Sequence, residues 1–164
     1  MGNCQGIITH QCLNKINDNN ELDNLKIKEL SIFVPPVVSG RVIKVYDGDT
    51  ITIASRVPGL KKSEIFKFSV RLNGIDTPEM KTHNEDEKKV AKMAQVALSE
   101  KIMNKDIILK DVKTEKYGRL LCEIYLDKLH LNQWLIDEKY ALPYGGATKI
   151  IPTSWVEYHK NGTI

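Results

Sequence analysis

The chain has 164 residues, 41% hydrophobic and 27% charged, a composition ordinary for a soluble globular protein of one domain with a tail. Lys+Arg 24 against Asp+Glu 21 leaves a formal charge of +3, which is compatible with a polyanionic partner but excludes a basic arm. Three widely spaced cysteines, Cys4, Cys12 and Cys122, exclude a disulfide framework and a C-x-x-C metal motif, and no apolar run is long enough for a membrane-spanning helix.

The N-terminus reads "MGNCQG". Gly2 behind the initiator Met fits an N-myristoylation signal, M-G-x-x-x-[ST], except that Gly6 stands where Ser or Thr is wanted. Acylation of Cys4 would add the second signal that stable anchoring requires. The expectation is a peripheral membrane attachment through this tail, with an unmodified N-terminus as the alternative. The following stretch "LNKINDNNELDNLKIK" is too polar for a secretory signal, so an intracellular protein is expected, cytoplasmic or on the cytoplasmic face of a membrane. "LSIFVPPVVSG" (30–40) is apolar, and Pro35 and Pro36 forbid a helix there. Residues 1–38 thus read as a polar tail or linker, and 39–164 as the domain.

From Gly40 the pattern is β. "RVIKVY" (41–46) and "DTITIA" (49–54) alternate as a hairpin, with Asp47-Gly48 as its tight turn. A polar loop (55–64) precedes a third strand, "IFKFSVRLNGI" (65–75). Residues 84–104 place Val90, Met93, Ala94, Ala97, Leu98 and Ile102 on one helical face, and Asn84 with Glu87 resembles a capping box. Two further strands follow, 106–113 and 119–126, then a short amphipathic helix, 131–140. Residues 152–160 end the chain with a last helical turn or two behind Pro152. Five short strands with a helix between the third and fourth give an α+β fold, a five-stranded OB-type Greek-key β-barrel with two to three helices.

Chemistry concentrates in two turns. The start of the second strand and the end of the third lie at one edge, so Asp49 of "DGDT" and Asp76 of "RLNGIDTPE" (71–79) can meet at one rim. Two carboxylates brought together repel, and a hard divalent cation, calcium or magnesium, is the usual compensation for oxygen-only ligands. Two solvated turn aspartates are the plainer alternative. Arg71 and Arg119 carry guanidinium groups that grip phosphate oxygens in bidentate fashion, although strand-edge arginines are common enough.

In this order, "DGDT", "RLNGIDTPE" and "TEKYGRLLCEIYL" resemble the three signature blocks of the staphylococcal-nuclease-like (thermonuclease) family, over residues 39–145. The resemblance implies the same OB-type barrel and an enzyme that cuts DNA and RNA with Ca2+, leaving 5′-hydroxyl and 3′-phosphate ends. Carried over by motif, Asp49 and Asp76 are similar to that family's calcium ligands, and Thr77 to the residue that lends a backbone carbonyl. Glu79 matches the carboxylate that activates or positions the attacking water, and Arg71 and Arg119 the pair that holds the scissile phosphate. Lys116 and Tyr117 resemble residues on the nucleotide's terminal phosphate, and Tyr144 an aromatic against which a base packs. Asp47 is then mostly the hairpin turn, and a monomer is expected.

The chain departs from the family pattern in a longer stretch between Thr50 and Arg71, an acidic segment "MKTHNEDEKK" after Glu79, and the lack of an export signal. The competing reading is a non-catalytic nucleic-acid-binding or scaffolding OB module. Retention of Asp49, Arg71, Asp76, Glu79 and Arg119 together weighs against it.

Overall fold

The computed structural model describes residues 26–62 and 64–164. The expected acylation sites Gly2 and Cys4 lie outside the described residues. The chain divides into two units at Phe33/Val34. Within the first, the described part holds a single 3-10 turn, Ile27–Glu29. The remaining elements belong to the second unit, Val34–Ile164, whose core takes in Val37 at 1% exposure.

Alternating apolar residues form β1 (Ser39–Val45), β2 (Thr50–Ser55), β3 (Phe66–Leu72), β5 (Asp106–Thr114) and β6 (Leu120–Leu126), joined by the two-residue strands β4 (Ile75–Asp76), β7 (Leu129–His130) and β8 (Leu142–Pro143). Three helices accompany them: α1 (Glu85–Ile102), α2 (Leu131–Asp137) and α3 (Trp155–Asn161). The main sheet runs β3-β2-β1-β5-β6-β7, and β3 also pairs in parallel with β6 through Val70↔Leu120 and Leu72↔Cys122. That pairing closes five strands into a barrel, so the fold is the OB-type α+β barrel with three helices. Closure removes the free edges that would otherwise invite aggregation. Shifts of register between Val42 and Lys44 and between Lys110 and Lys113 are bulges that tighten the twist enough to close it.

The barrel fills with the inward residues of its strands. Ile51 and Ile53 on β2, Val70 and Leu72 on β3, and Cys122 and Ile124 on β6 are all fully enclosed. Leu98 and Ile102 of α1 join this cluster, whereas Val90 from the same helix packs with Leu142, Trp155 and Tyr158 beneath α3.

Several boundaries differ from the expected ones, each for a local reason. The third strand ends at Leu72 because Gly74, at φ +78°, turns the chain before β4. α2 stops at Asp137, since the Tyr140 and Ala141 N–H groups both return to the Leu135 carbonyl and Lys139 is left-handed at φ +57°. α3 begins at Trp155 because Ser154 caps it, its Oγ accepting from the Glu157 N–H. On α1, Ala91, Ala94 and Leu98 form one buried row, which leaves Met93 at the stripe's edge, 36% exposed. The capping box is half formed: Asn84 Oδ1 accepts from the Asp86 and Glu87 N–H groups, but the Glu87 carboxylate turns to the Glu79 N–H at 3.1 Å. Among the described residues no helix is long and apolar enough to cross a membrane.

Asn132, 2% exposed on α2, ties the barrel to its top rim. Its Oδ1 accepts from the Ile124 N–H at 3.0 Å, and its Nδ2 donates to the Asn73 and Cys122 carbonyls at 2.8 and 3.3 Å. The turn that leads into Asp76 is thereby fixed to β6.

Candidate active site

Between β1 and β2 the chain reverses through Asp47 and Gly48. Asp47 Oδ1 accepts from the Asp49 N–H at 3.1 Å, and the Tyr46 N–H donates to the Thr50 carbonyl at 2.8 Å. Gly48 is demanded by close approach rather than by backbone angle: a Cβ there would stand 2.9 Å from Thr77 Cγ2 and 3.0 Å from Ala94 Cβ. The turn is thus pressed onto α1 and onto the segment following β4. Asp49, Asp76 and Thr77 consequently come together below the surface, at 4%, 7% and 5% exposure.

Arg71, facing Thr50 across the β2–β3 ladder, joins the two aspartates. Its Nη1 lies 2.6 Å from Asp49 Oδ2 and its Nη2 3.4 Å from Asp76 Oδ1. Burial opposes the guanidinium charge, but the carboxylates of Asp49, Asp76 and Asp47 outweigh it and raise the Arg71 pKa further. Asp47 shows the opposite effect. Burial first, and the adjacent Asp49 second, push its carboxyl from 3.8 up to about 6, against the pull of hydrogen bonds from Asp49 and Thr50.

Arg119 reaches the same rim from the turn before β6. Its Nε is held by Glu115 Oε1, and its Nη1 lies 3.4 Å from Thr50 Oγ1. The Thr50 hydroxyl in turn donates to Asp49 Oδ1 at 2.9 Å, so one hydroxyl links the second guanidinium to the first carboxylate. Glu79 stands at the solvent side with 64% of its side chain exposed, its carboxylate 3.3 Å from Lys149 Nζ. The same ammonium lies 2.9 Å from Asp76 Oδ1. Burial would lower the Lys149 pKa, but its bonds to Asp76 and Glu79 raise it overall.

Three further candidates from the sequence make other contacts. Lys116 and Tyr117 occupy the tip of the β5–β6 turn, where Lys116 Nζ lies 4.9 Å from the Tyr117 ring centre and Tyr117 is 73% exposed. They face each other. Tyr144 follows β8, its N–H bonded to the Gly74 carbonyl at 2.9 Å and its hydroxyl donating to the Ala147 carbonyl at 3.2 Å. Conversely, Thr50, Glu115, Asn132 and Lys149 had not been singled out. Glu115 carried a signal, its i,i+4 spacing to Arg119 across a glycine turn, whereas Lys149 in "ALPYGGATK" carried none.

Among the described residues no three His, Cys, Asp or Glu side chains are disposed as a ready metal cage. The carboxylate oxygens of Asp49 and Asp76 converge on Arg71, and Thr77, next in the chain, is buried as they are. An oxygen-only set of this kind suits a hard cation such as calcium or magnesium. With Arg71 and Arg119 beside it, the rim can bind a phosphate and stabilise charge building on its oxygens. A concavity of about 740 Å³ lies at the other end of β2, between residues 55–62 and Gly40, and none of these residues lines it. Charge and hydrogen-bond geometry therefore locate the site better than cavity size.

A protein-family model described as "Staphylococcal nuclease homologue" matches residues 69–153, somewhat more than half of the chain. The chain is also similar to an uncharacterized protein of Bacillus anthracis, 31% identical over 108 residues, which cover 64% of this chain and 47% of that protein. It thus spans about half the length of that relative. An uncharacterized endonuclease of Escherichia coli O157:H7 is 27% identical over 120 residues, 70% of this chain and 69% of the other.

Proposed function

Because the chain belongs to the staphylococcal nuclease family, we propose that it is a calcium-dependent nuclease that hydrolyses phosphodiester bonds of DNA and RNA by attack of water. On this reading the products carry 5′-hydroxyl and 3′-phosphate ends. The observation that supports it most is the Arg71 bridge between buried Asp49 and Asp76, with Arg119 one hydroxyl away. An isolated pair of solvated turn aspartates would have neither the burial nor the shared guanidinium.

Asp49, Asp76 and the Thr77 carbonyl would hold the calcium, which when bound would supply positive charge to offset the carboxylates and the phosphate. Arg71 and Arg119 hold the scissile phosphate and stabilise the charge that develops on its oxygens in the transition state. Glu115 fixes Arg119 through Nε, so the guanidinium enters the site already aimed. Glu79, on the solvent side, orients the attacking water or takes its proton. Tyr117 and Lys116, exposed on the neighbouring turn, remain free to meet the nucleic acid beyond the scissile phosphate.

Purified protein incubated with labelled single-stranded DNA and RNA, in calcium, magnesium or chelator, tests this directly. Calcium-dependent cutting is expected, falling at least about a hundredfold in folded Asp49→Ala and Arg119→Ala variants. Tight binding without cutting, indifferent to chelator, would instead identify a binding module. Attachment of the tail to a membrane through acylated Gly2 and Cys4 is a separate proposal, and mass spectrometry showing an unmodified Gly2 in the native cell removes it.

A further inference from the structure

Lys149 lies in the loop between β8 and α3, outside every motif that marks the site. Even so, its ammonium is placed 2.9 Å from Asp76 Oδ1 and 3.3 Å from Glu79 Oε1. The loop is tied at both ends. Upstream, Tyr144 bonds to Gly74 and Ala147, and downstream Ser154 Oγ donates to Asp86 Oδ2 at 3.5 Å. Asp47, Asp49, Asp76 and Glu79 all crowd this rim, and Arg119 is engaged by Glu115. Asp76 Oδ1 is contacted by both Arg71 and Lys149. A metal ion that takes up this oxygen must therefore share it or displace one of them.

Of the two, Lys149 is the one able to leave. Arg71 stands on a barrel strand with its side chain 18% exposed and is also held by Asp49. Lys149 is a point charge on a flexible four-carbon stem, 40% exposed, for which withdrawal into water costs little. We propose that Lys149 is an intramolecular counter-ion, occupying the Asp76–Glu79 edge of the metal site and competing with the divalent cation for it. The proposal rests on the reading of Asp49 and Asp76 as metal ligands. In the metal-free protein the ammonium offsets part of the rim's negative charge and occupies Glu79. Metal uptake releases both, so the carboxylate that handles the water becomes available only when the cation is in place.

The test is isothermal titration of the metal-free full-length protein with calcium alone, for wild type, Lys149→Met, Lys149→Gln and Lys149→Arg, each checked by circular dichroism. Metal uptake must first break the ammonium's ion pairs with Asp76 and Glu79, an attraction that persists even in water-like surroundings. The Met and Gln variants should therefore bind calcium about tenfold more tightly. The Arg variant, which keeps the charge, should stay within about twofold of wild type. Calcium affinity unchanged or weakened in both neutral variants overturns the counter-ion while leaving the metal site intact. If wild type binds no calcium, the metal reading falls and this proposal with it. If one neutral variant fails to fold, the other decides by the same criterion.

Discussion

Replacing Asn132 with alanine removes a side chain that makes three hydrogen bonds, two of them buried. The Ile124 N–H, in the middle of β6, would lose its acceptor at 3.0 Å in a region closed to water. A buried donor left unpaired costs about 1–3 kcal/mol. The Cys122 carbonyl keeps the Asn73 N–H at 2.8 Å and loses little, whereas the Asn73 carbonyl loses its 2.8 Å donor. With the space left by the truncated amide, the total is about 2–4 kcal/mol, a large share of the roughly 5–15 kcal/mol typical of a folded domain. Urea unfolding followed by the fluorescence of Trp134 and Trp155 would show this as a lower midpoint at unchanged slope. Asn132→Asp keeps an acceptor for Ile124 but turns a carboxylate toward two carbonyls, so it should be at least as harmful as alanine. A loss below about 1 kcal/mol for alanine, or a milder effect for aspartate, would refute the assignment of these bonds.

Two other substitutions probe the packing around the site. Gly48→Ala forces a Cβ to within 2.9 Å of Thr77 Cγ2 and 3.0 Å of Ala94 Cβ. It should cost about 1–3 kcal/mol by thermal melting and, by displacing Thr77, weaken calcium binding measured by titration. A fully stable variant with wild-type affinity would show that the turn is not pressed onto that segment. The Cys122 thiol is pushed up to about 12, by burial first and by Glu123 second. In a protein with Cys4 and Cys12 changed to serine, Cys122 should therefore resist an aromatic disulfide reagent at pH 8 until urea unfolds the chain. Fast modification of the folded protein would contradict its burial.

The strands and the long helix were legible because their signals are local. Ile51 and Ile53, or Val70 and Leu72, repeat at the strand period, and Val90, Ala94 and Leu98 at the helical one. Features that depend on distant partners were not. Nothing near Val70 announces that it will pair in parallel with Leu120, nor that Glu87 will find the Glu79 N–H rather than close its own box. The same division runs through the site. Asp49 and Asp76 were readable as neighbours because a hairpin returns the chain to the same rim. Asn132 and Lys149 arrive from later elements, α2 and the loop after β8, and they are an ordinary polar residue and an ordinary cation until the barrel places them.

During synthesis the parallel seam of β3 and β6 acts as a clock. Asp49, Arg71 and Asp76 leave the ribosome early, but Arg119 precedes the strand that closes the barrel, and Asp76 is paired through Leu142 of β8. The Asn73 carbonyl is bolted by Asn132 of α2. A nascent or prematurely ended chain thus holds the acidic half of the site without the second guanidinium, the bolt or the closed wall. Chemistry directed at nucleic acid would be withheld from the translating messenger beside it, and would begin only when the last of these parts has been released and folded.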